Sequence, residues 1–261
     1  MTGRSLHDGL LRVLTNARLR NWAAASNVST LSAAVGLAEA RVLCAADPAR
    51  VRHLARFLGR HFYRERIVRL FAASRRLAQE AGHDPLDVLE GSAFATLLDG
   101  AELGSAATAD AVATLVEGEV AGALAARPWG AALAAYEGAL FRVEAGPRRW
   151  ATAAGDTVVR AATARVLTLA WDVTGLVAAV RRGQRGLPEP PANPIRLLVA
   201  LDPEGRVTTV RASEGIERVL AALDAPRTAA ALARMLGSDE ASCGRAIQQL
   251  AAIGAVEYRG A

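Results

Sequence analysis

The sequence predicts an α+β chain, with helices alone in its first part and helices mixed with strands in its last. Three observations lead there. Over the first 146 residues, apolar positions recur at helical spacing between Gly and Pro breaks. From Pro194 to Tyr258, two short runs rich in Leu, Val and Thr flank Asp202-Pro203-Glu204-Gly205, and three further helical patterns follow. Apolar residues make up 52% of the chain, alanine foremost, while aromatics reach only 5%, a composition suited to closely packed helices.

The helical part is expected to run as follows. Residues 4–24 carry Leu6, Leu10, Val13, Leu14 and Leu19 at amphipathic spacing, and Asn27–Ala46 is a second stretch with Leu31, Val35, Val42 and Leu43. Asp47-Pro48 reads as a cap followed by Pro in the first turn. A long arginine-rich helix then spans Ala49–Ala81, with Gly59 a point where it could bend or divide. Gly82-His83-Asp84-Pro85 breaks the chain, and helices follow at Leu86–Leu98, Thr108–Leu124 and Trp129–Glu144. Gly146-Pro147 closes this part, and the small residues Ala151–Gly155 form a connector. The expected domains are 1–150 and 160–261.

In the second part, Thr163–Ala170 has a strand pattern, and Asp172 can cap a helix running to Val180 that Arg181-Arg182-Gly183 ends in accord with the helix dipole. Gly186–Pro194 is a stiff, proline-rich link. Ile195–Leu201 and Arg206–Val210 form a hairpin about Pro203 and Gly205. Ser213 caps the next helix, Thr228–Leu236 is a short one ended by Gly237, and Ser238 or Asp239 starts a third that Gly254 ends. Ala255–Tyr258 is a closing strand. The 163–170 strand joins the hairpin, giving about three strands beside three or four helices, a winged-helix-like domain.

Charge and chemistry narrow the function. All 31 basic residues are arginine, and the net charge of +5 spread over 261 residues is a weak bias, suited to an acidic peptide or protein partner without requiring nucleic acid. The third tail helix offers Arg245, Gln248 and Gln249 and also carries Glu240 and Gly244, a poor set for reading bases. A winged-helix transcriptional regulator with a helical effector domain is the alternative reading. Cys44 and Cys243 are far apart in apolar patterns and read as reduced thiols. The start of the chain lacks a signal-peptide pattern and no long apolar run suggests a membrane span, so a cytoplasmic location without a membrane partner is expected.

Catalytic and metal motifs are absent. His7, His53, His61 and His83 are scattered, and neither CxxC, HExxH, GxSxG, a Walker loop nor GxGxxG occurs. The expectation is a chain without catalytic residues, metal ligands or a cofactor of its own. Arg52, Arg56, Arg60, Arg64, Arg66, Arg69, Arg75 and Arg76, interleaved with Phe62, Tyr63 and Phe71, form either a solvated face or a docking surface for an acidic partner.

Two stretches carry a family resemblance. Val219–Leu223, Asp224-Ala225-Pro226, Arg227-Thr228, Ala231-Leu232 and Leu250–Gly254 follow in order the pattern of a PqqD-type RiPP recognition element, with Ala225 at the usual turn glycine. The tail resembles that peptide-binding winged helix over about its last 100 residues. Tyr63–Phe71, Ser92–Leu98 and Ala135–Leu140 are similar to segments of partner proteins of multinuclear iron-dependent oxidative enzymes (MbnC- and TglI-like). Together these imply an accessory subunit that binds a ribosomally made precursor peptide and presents it to a TIM-barrel iron oxidase, with the iron held by that enzyme. The leader would add as a strand between the third strand and the third helix, in a groove flanked by Arg206–Arg211 and Ala241–Ile253. The residues expected there are Arg206, Val207, Thr209, Arg211, Arg245 and Gln249, with Ile247 and Leu250 as floor or wall. Tyr63, Arg64, Arg66 and Tyr136 are the expected partner-docking residues.

Overall fold

The computed structural model describes residues 3–147 and 155–259. Most of the Ala151–Gly155 connector therefore lies outside the described residues. Within them the chain is α+β, with thirteen α-helices, one 3-10 helix and two small antiparallel sheets.

Local capping makes the first helices shorter than their periodicity suggests. Asn16 accepts a hydrogen bond from the Leu19 amide and starts a new helix, so residues 4–24 form α1 (Gly3–Thr15) and α2 (Ala17–Ala24). Gly36, at φ +94°, likewise divides α3 (Val28–Val35) from α4 (Leu37–Cys44). Asp47 caps α5 (Pro48–Leu70), with Pro48 in the first turn. The long arginine helix breaks at Phe71 before α6 (Ala72–Glu80), and it passes Gly59 intact. A 3-10 turn (Pro85–Glu90) and α7 (Ser92–Asp99) stand where a single helix was expected. Gly59 serves their packing: a Cβ there would lie 2.6 Å from Leu98 Cδ2. Helices α8 (Ala106–Ala123) and α9 (Gly130–Ala145) follow their patterns closely and pack along each other.

From residue 155 onward come β1 (Thr157–Arg160), β2 (Arg165–Leu169), α10 (Thr174–Arg181), β3 (Ile195–Leu201) and β4 (Val207–Arg211). Helices α11 (Glu214–Ala222), α12 (Ala229–Leu236) and α13 (Glu240–Ala252) then lead to β5 (Val256–Arg259). Ser213, Thr228 and Asp239 cap the three helices as their side chains predict. The three-stranded sheet has the order β2-β3-β4. The closing strand β5 pairs instead with β1, a four-residue strand the sequence pattern did not reveal. Beside β5, β1 is also tied to the α11–α12 link, through Val158 and Arg227 and through the Arg160 amide to Leu223.

Three apolar cores hold the chain. Val13, Leu14, Leu31, Leu43 and Val51 gather α1, α3, α4 and the start of α5. A larger core brings the aromatic group Tyr63, Phe71, Phe94 and Phe141 together with the α8–α9 pair. The third packs α11–α13 on the sheet through Leu198, Leu220, Leu232, Ile247 and Leu250. The middle core does not stop at the expected 150–160 boundary. It continues into Leu169, Leu176, Val177, Ile195, Leu197 and Val199. The β3 strand therefore has Leu197 and Val199 in the helical core and Leu198 and Ala200 in the tail core, as a strand buried on both faces must.

Candidate functional site

The hairpin defines the site by its hydrogen-bond parity. The Asp202 amide donates to the Arg206 carbonyl and the Ala212 amide to the Arg196 carbonyl, both at 2.9 Å. With the β3–β4 register, these bonds make Ala200↔Thr208 and Leu198↔Val210 the hydrogen-bonded pairs. Val207, Thr209 and Arg211 then turn their own N–H and C=O groups outward. Strand β4 ends the sheet order, so these groups line an open edge with no strand partner among the described residues. The turn that sets this register is tightly held. Asp202 Oδ1 accepts from the Glu204 and Arg206 amides, and Gly205 takes φ +80°. These bonds hold the Asp202 carboxyl below its usual range, the Arg206 amide first among them.

Below this edge lies an open cleft of about 570 Å³ between β4, α5, α9 and the end of α10. Leu70, Tyr136, Leu140 and Val207 give it apolar walls, and Arg69, Arg181 and Arg206 ring it with positive charge. Its one carboxylate, Glu144, is matched by Arg66 at 3.0 Å and Arg69 at 2.5 Å. Arg206 pairs with Asp202 and Glu204. Arg181 is exposed in the last turn of α10 and makes no ion pair within 4.0 Å among the described residues.

The expected groove is not assembled as expected. Arg206, Val207 and Thr209 line the cleft against α5 and α9, whereas Ile247 and Leu250 belong to the tail core on the other face of the sheet. The strand's period of two is the reason: the side chains of 207 and 209 leave one face, those of 208 and 210 the opposite one. Helix α13 packs on α12 and β5 rather than along β4, and Arg245 and Gln249 lie on its exposed side. Arg245 donates to the Ser242 hydroxyl at 2.8 Å. Arg211 is already engaged by Asp172 at 2.7 Å.

The docking residues also divide. Tyr63 is 0% exposed, with Phe62, Phe94 and Phe141 around its ring. Burial pushes its hydroxyl up to about 12, against smaller opposite pulls from the Gly104 backbone and Arg66. Tyr136 is 5% exposed and faces the cleft. Arg66 is stacked 3.6 Å over the Phe62 ring and pairs with Glu144. Of the four, only Arg64 stands on the exposed face of α5. Neighbouring arginines are engaged as well. Arg56 pairs with Asp99 at 2.6 Å, Arg60 donates to the Leu89 carbonyl, Arg75 pairs with Asp84 and Arg76 donates to Gln184 and Arg185 carbonyls. Long guanidinium side chains reach across to neighbouring elements, so a run of arginines on a helix need not remain a free surface.

Sequence reasoning missed Arg69, Leu70, Leu140, Glu144 and Arg181 as cleft residues. Arg181 gave a local signal only as a favourable helix-end charge. Another missed residue is Glu137, which is 0% exposed and accepts from the Ala73 and Ser74 amides at 3.0 and 2.8 Å, closing the start of α6. Among the described residues, no cluster of three or more His, Cys, Asp or Glu side chains is placed to hold a metal ion, and no helix is long and apolar enough to cross a membrane. Cys44 and Cys243 are free thiols.

Fold and site together define a class: an α+β protein with an unpaired strand edge above a basic, partly apolar cleft. No protein-family model matches the chain, and no curated protein matches it.

Proposed function

We propose that this protein captures an extended peptide on β4 and presents it to a partner enzyme, as an accessory subunit of ribosomal-peptide modification. The observation that carries the reading is the set of outward backbone groups at Val207, Thr209 and Arg211, open beside a cleft of peptide-side-chain dimensions. An added strand satisfies those groups through main-chain bonds, while side chains entering the cleft supply selectivity. The three strands followed by α11–α13 support the winged-helix, recognition-element reading of the tail. The resemblance of the helical part supports a TIM-barrel multinuclear iron oxidase as the partner, with iron held on that enzyme and the reaction carried out there. Tethering the leader raises the local concentration of the modifiable end at the enzyme without any bond-making by this chain.

Amide hydrogen exchange tests the reading. The full chain is measured alone and with any short precursor-like peptide that a survey of its gene neighbourhood supplies. The outward amides of Val207, Thr209 and Arg211 should exchange quickly alone and slow on peptide binding, while Thr208 and Val210, paired to β3, change little. Protection confined to α13, or salt-sensitive retardation of DNA in a mobility-shift assay, would instead favour the regulator.

A further inference from the structure

We propose that the peptide taken by β4 is read at alternate positions, with an acidic side chain and an aliphatic one an even number of residues apart. Both enter the cleft beneath the strand. The inference rests on the reading that β4 accepts a strand, and it adds the chemistry of the guest.

Parity carries the first half. A strand laid along Val207, Thr209 and Arg211 continues the pleat of the sheet, so its alternate side chains leave on the same face. That face is the one from which Val207 and Thr209 enter the cleft. Two guest side chains seated there together must be separated by an even number of positions. Those between them face the side of Thr208 and Val210, where Val210 packs toward the tail core.

Cleft chemistry carries the second half. Leu70, Leu140 and Val207 offer an apolar seat, with Leu70 and Leu140 buried in the helical core. The acidic wall residue Glu144 is held by Arg66 and Arg69. Of the arginines that line the cleft, Arg69 and Arg206 are ion-paired and Arg181 has no ion pair among the described residues. Its guanidinium can hold a carboxylate through paired N–H donors, which a neutral or basic guest side chain cannot accept in the same way. Glu137 on α9, whose carboxyl feels the Arg181 charge, is fully enclosed and bound to the α6 amides. Arg181 thus distinguishes guests by charge, and the aliphatic wall distinguishes them by size and polarity.

A phage-displayed library of random dodecapeptides, selected on the full-length protein, provides the probe. Enriched peptides should pair Asp or Glu with Leu, Ile or Val at even separation. Selection on Arg181→Glu should turn the acidic position basic and weaken binding of the original peptides by about tenfold or more. Arg181 is exposed, so an unchanged thermal melt confirms that the variant folds. Thr209→Pro removes an outward N–H without breaking a β3–β4 hydrogen bond and, with its thermal melt unchanged, should abolish binding of every enriched peptide. Enriched sequences without an evenly spaced acid, or the same sequences on Arg181→Glu, overturn the proposed chemistry while leaving strand addition standing. Full binding to Thr209→Pro overturns strand addition itself, and a library that enriches nothing overturns both.

Discussion

Burial changes the chemistry of Glu137 more than its sequence context suggests. Loss of water raises its carboxyl to about 7, although the Ser74 side chain and the Ser74 and Ala73 amides pull the other way. The folded chain therefore binds this proton more tightly than the unfolded chain, whose ordinary value is 4.5. Its contribution to stability is full below pH 4.5 and is lost as pH rises toward about 7. Integrated over that window, the loss is about 3 kcal/mol. Urea unfolding from pH 4 to 8 should show that decline in the native protein and a flatter profile in Glu137→Gln. The same scale explains the arginines. Their identity and helical spacing were legible, but Asp99, Glu144 and the Gln184 carbonyl come from remote parts of the chain. Local periodicity carries no information about such partners.

Several helix starts and turns were legible from a single residue, although Asn16 and Gly36, which also fix the backbone, divided stretches that read as continuous. Asp47, Ser213 and Asp239 cap helices as expected, Thr228 caps the helix it was expected to begin, and Gly205 and Gly237 take positive φ at the turn and helix end. Gly254 answers to two demands at once. Its φ is +73°, and a Cβ would lie 1.8 Å from the Leu201 carbonyl oxygen. Gly254→Ala should therefore cost more than about 2 kcal/mol, since the hairpin end must move away from the α13–β5 junction. Gly244 is the contrasting case, in the middle of α13 with nothing within 4 Å of its added Cβ. Gly244→Ala should stabilise by about 0.5–1 kcal/mol through helix propensity. Chemical denaturation of both variants measures the two effects with opposite signs. The β1 strand was not legible, because four residues that pair with a strand about a hundred positions later leave almost no local signature.

At the scale of the whole molecule, the expected division near residue 150 separates chain segments without separating cores. Leu169, Leu176, Ile195, Leu197 and Val199 pack into the same core as α5, α8 and α9. A fragment spanning 155–261 would leave that sheet face bare, at about 25 cal/mol for each Å² of apolar surface returned to water. The fragment should bind a hydrophobic dye and melt without a sharp transition, while the full chain melts cooperatively. The same shared sheet creates the cleft, since β4 supplies one wall and the helical part supplies the other.

The α+β class, most helix ends, the hairpin and its turn could be read from the residues alone, because each depends on residues within a few positions of one another. The sequence also put Arg206, Val207, Thr209 and Arg211 on or beside one strand. Tertiary structure alone decided which core that strand's two faces meet, and so placed Val207 and Thr209 opposite Leu70 and Leu140 rather than Ile247 and Leu250. A strand alternates its side chains regardless of surroundings, but which layer covers each face depends on packing between segments far apart in the chain.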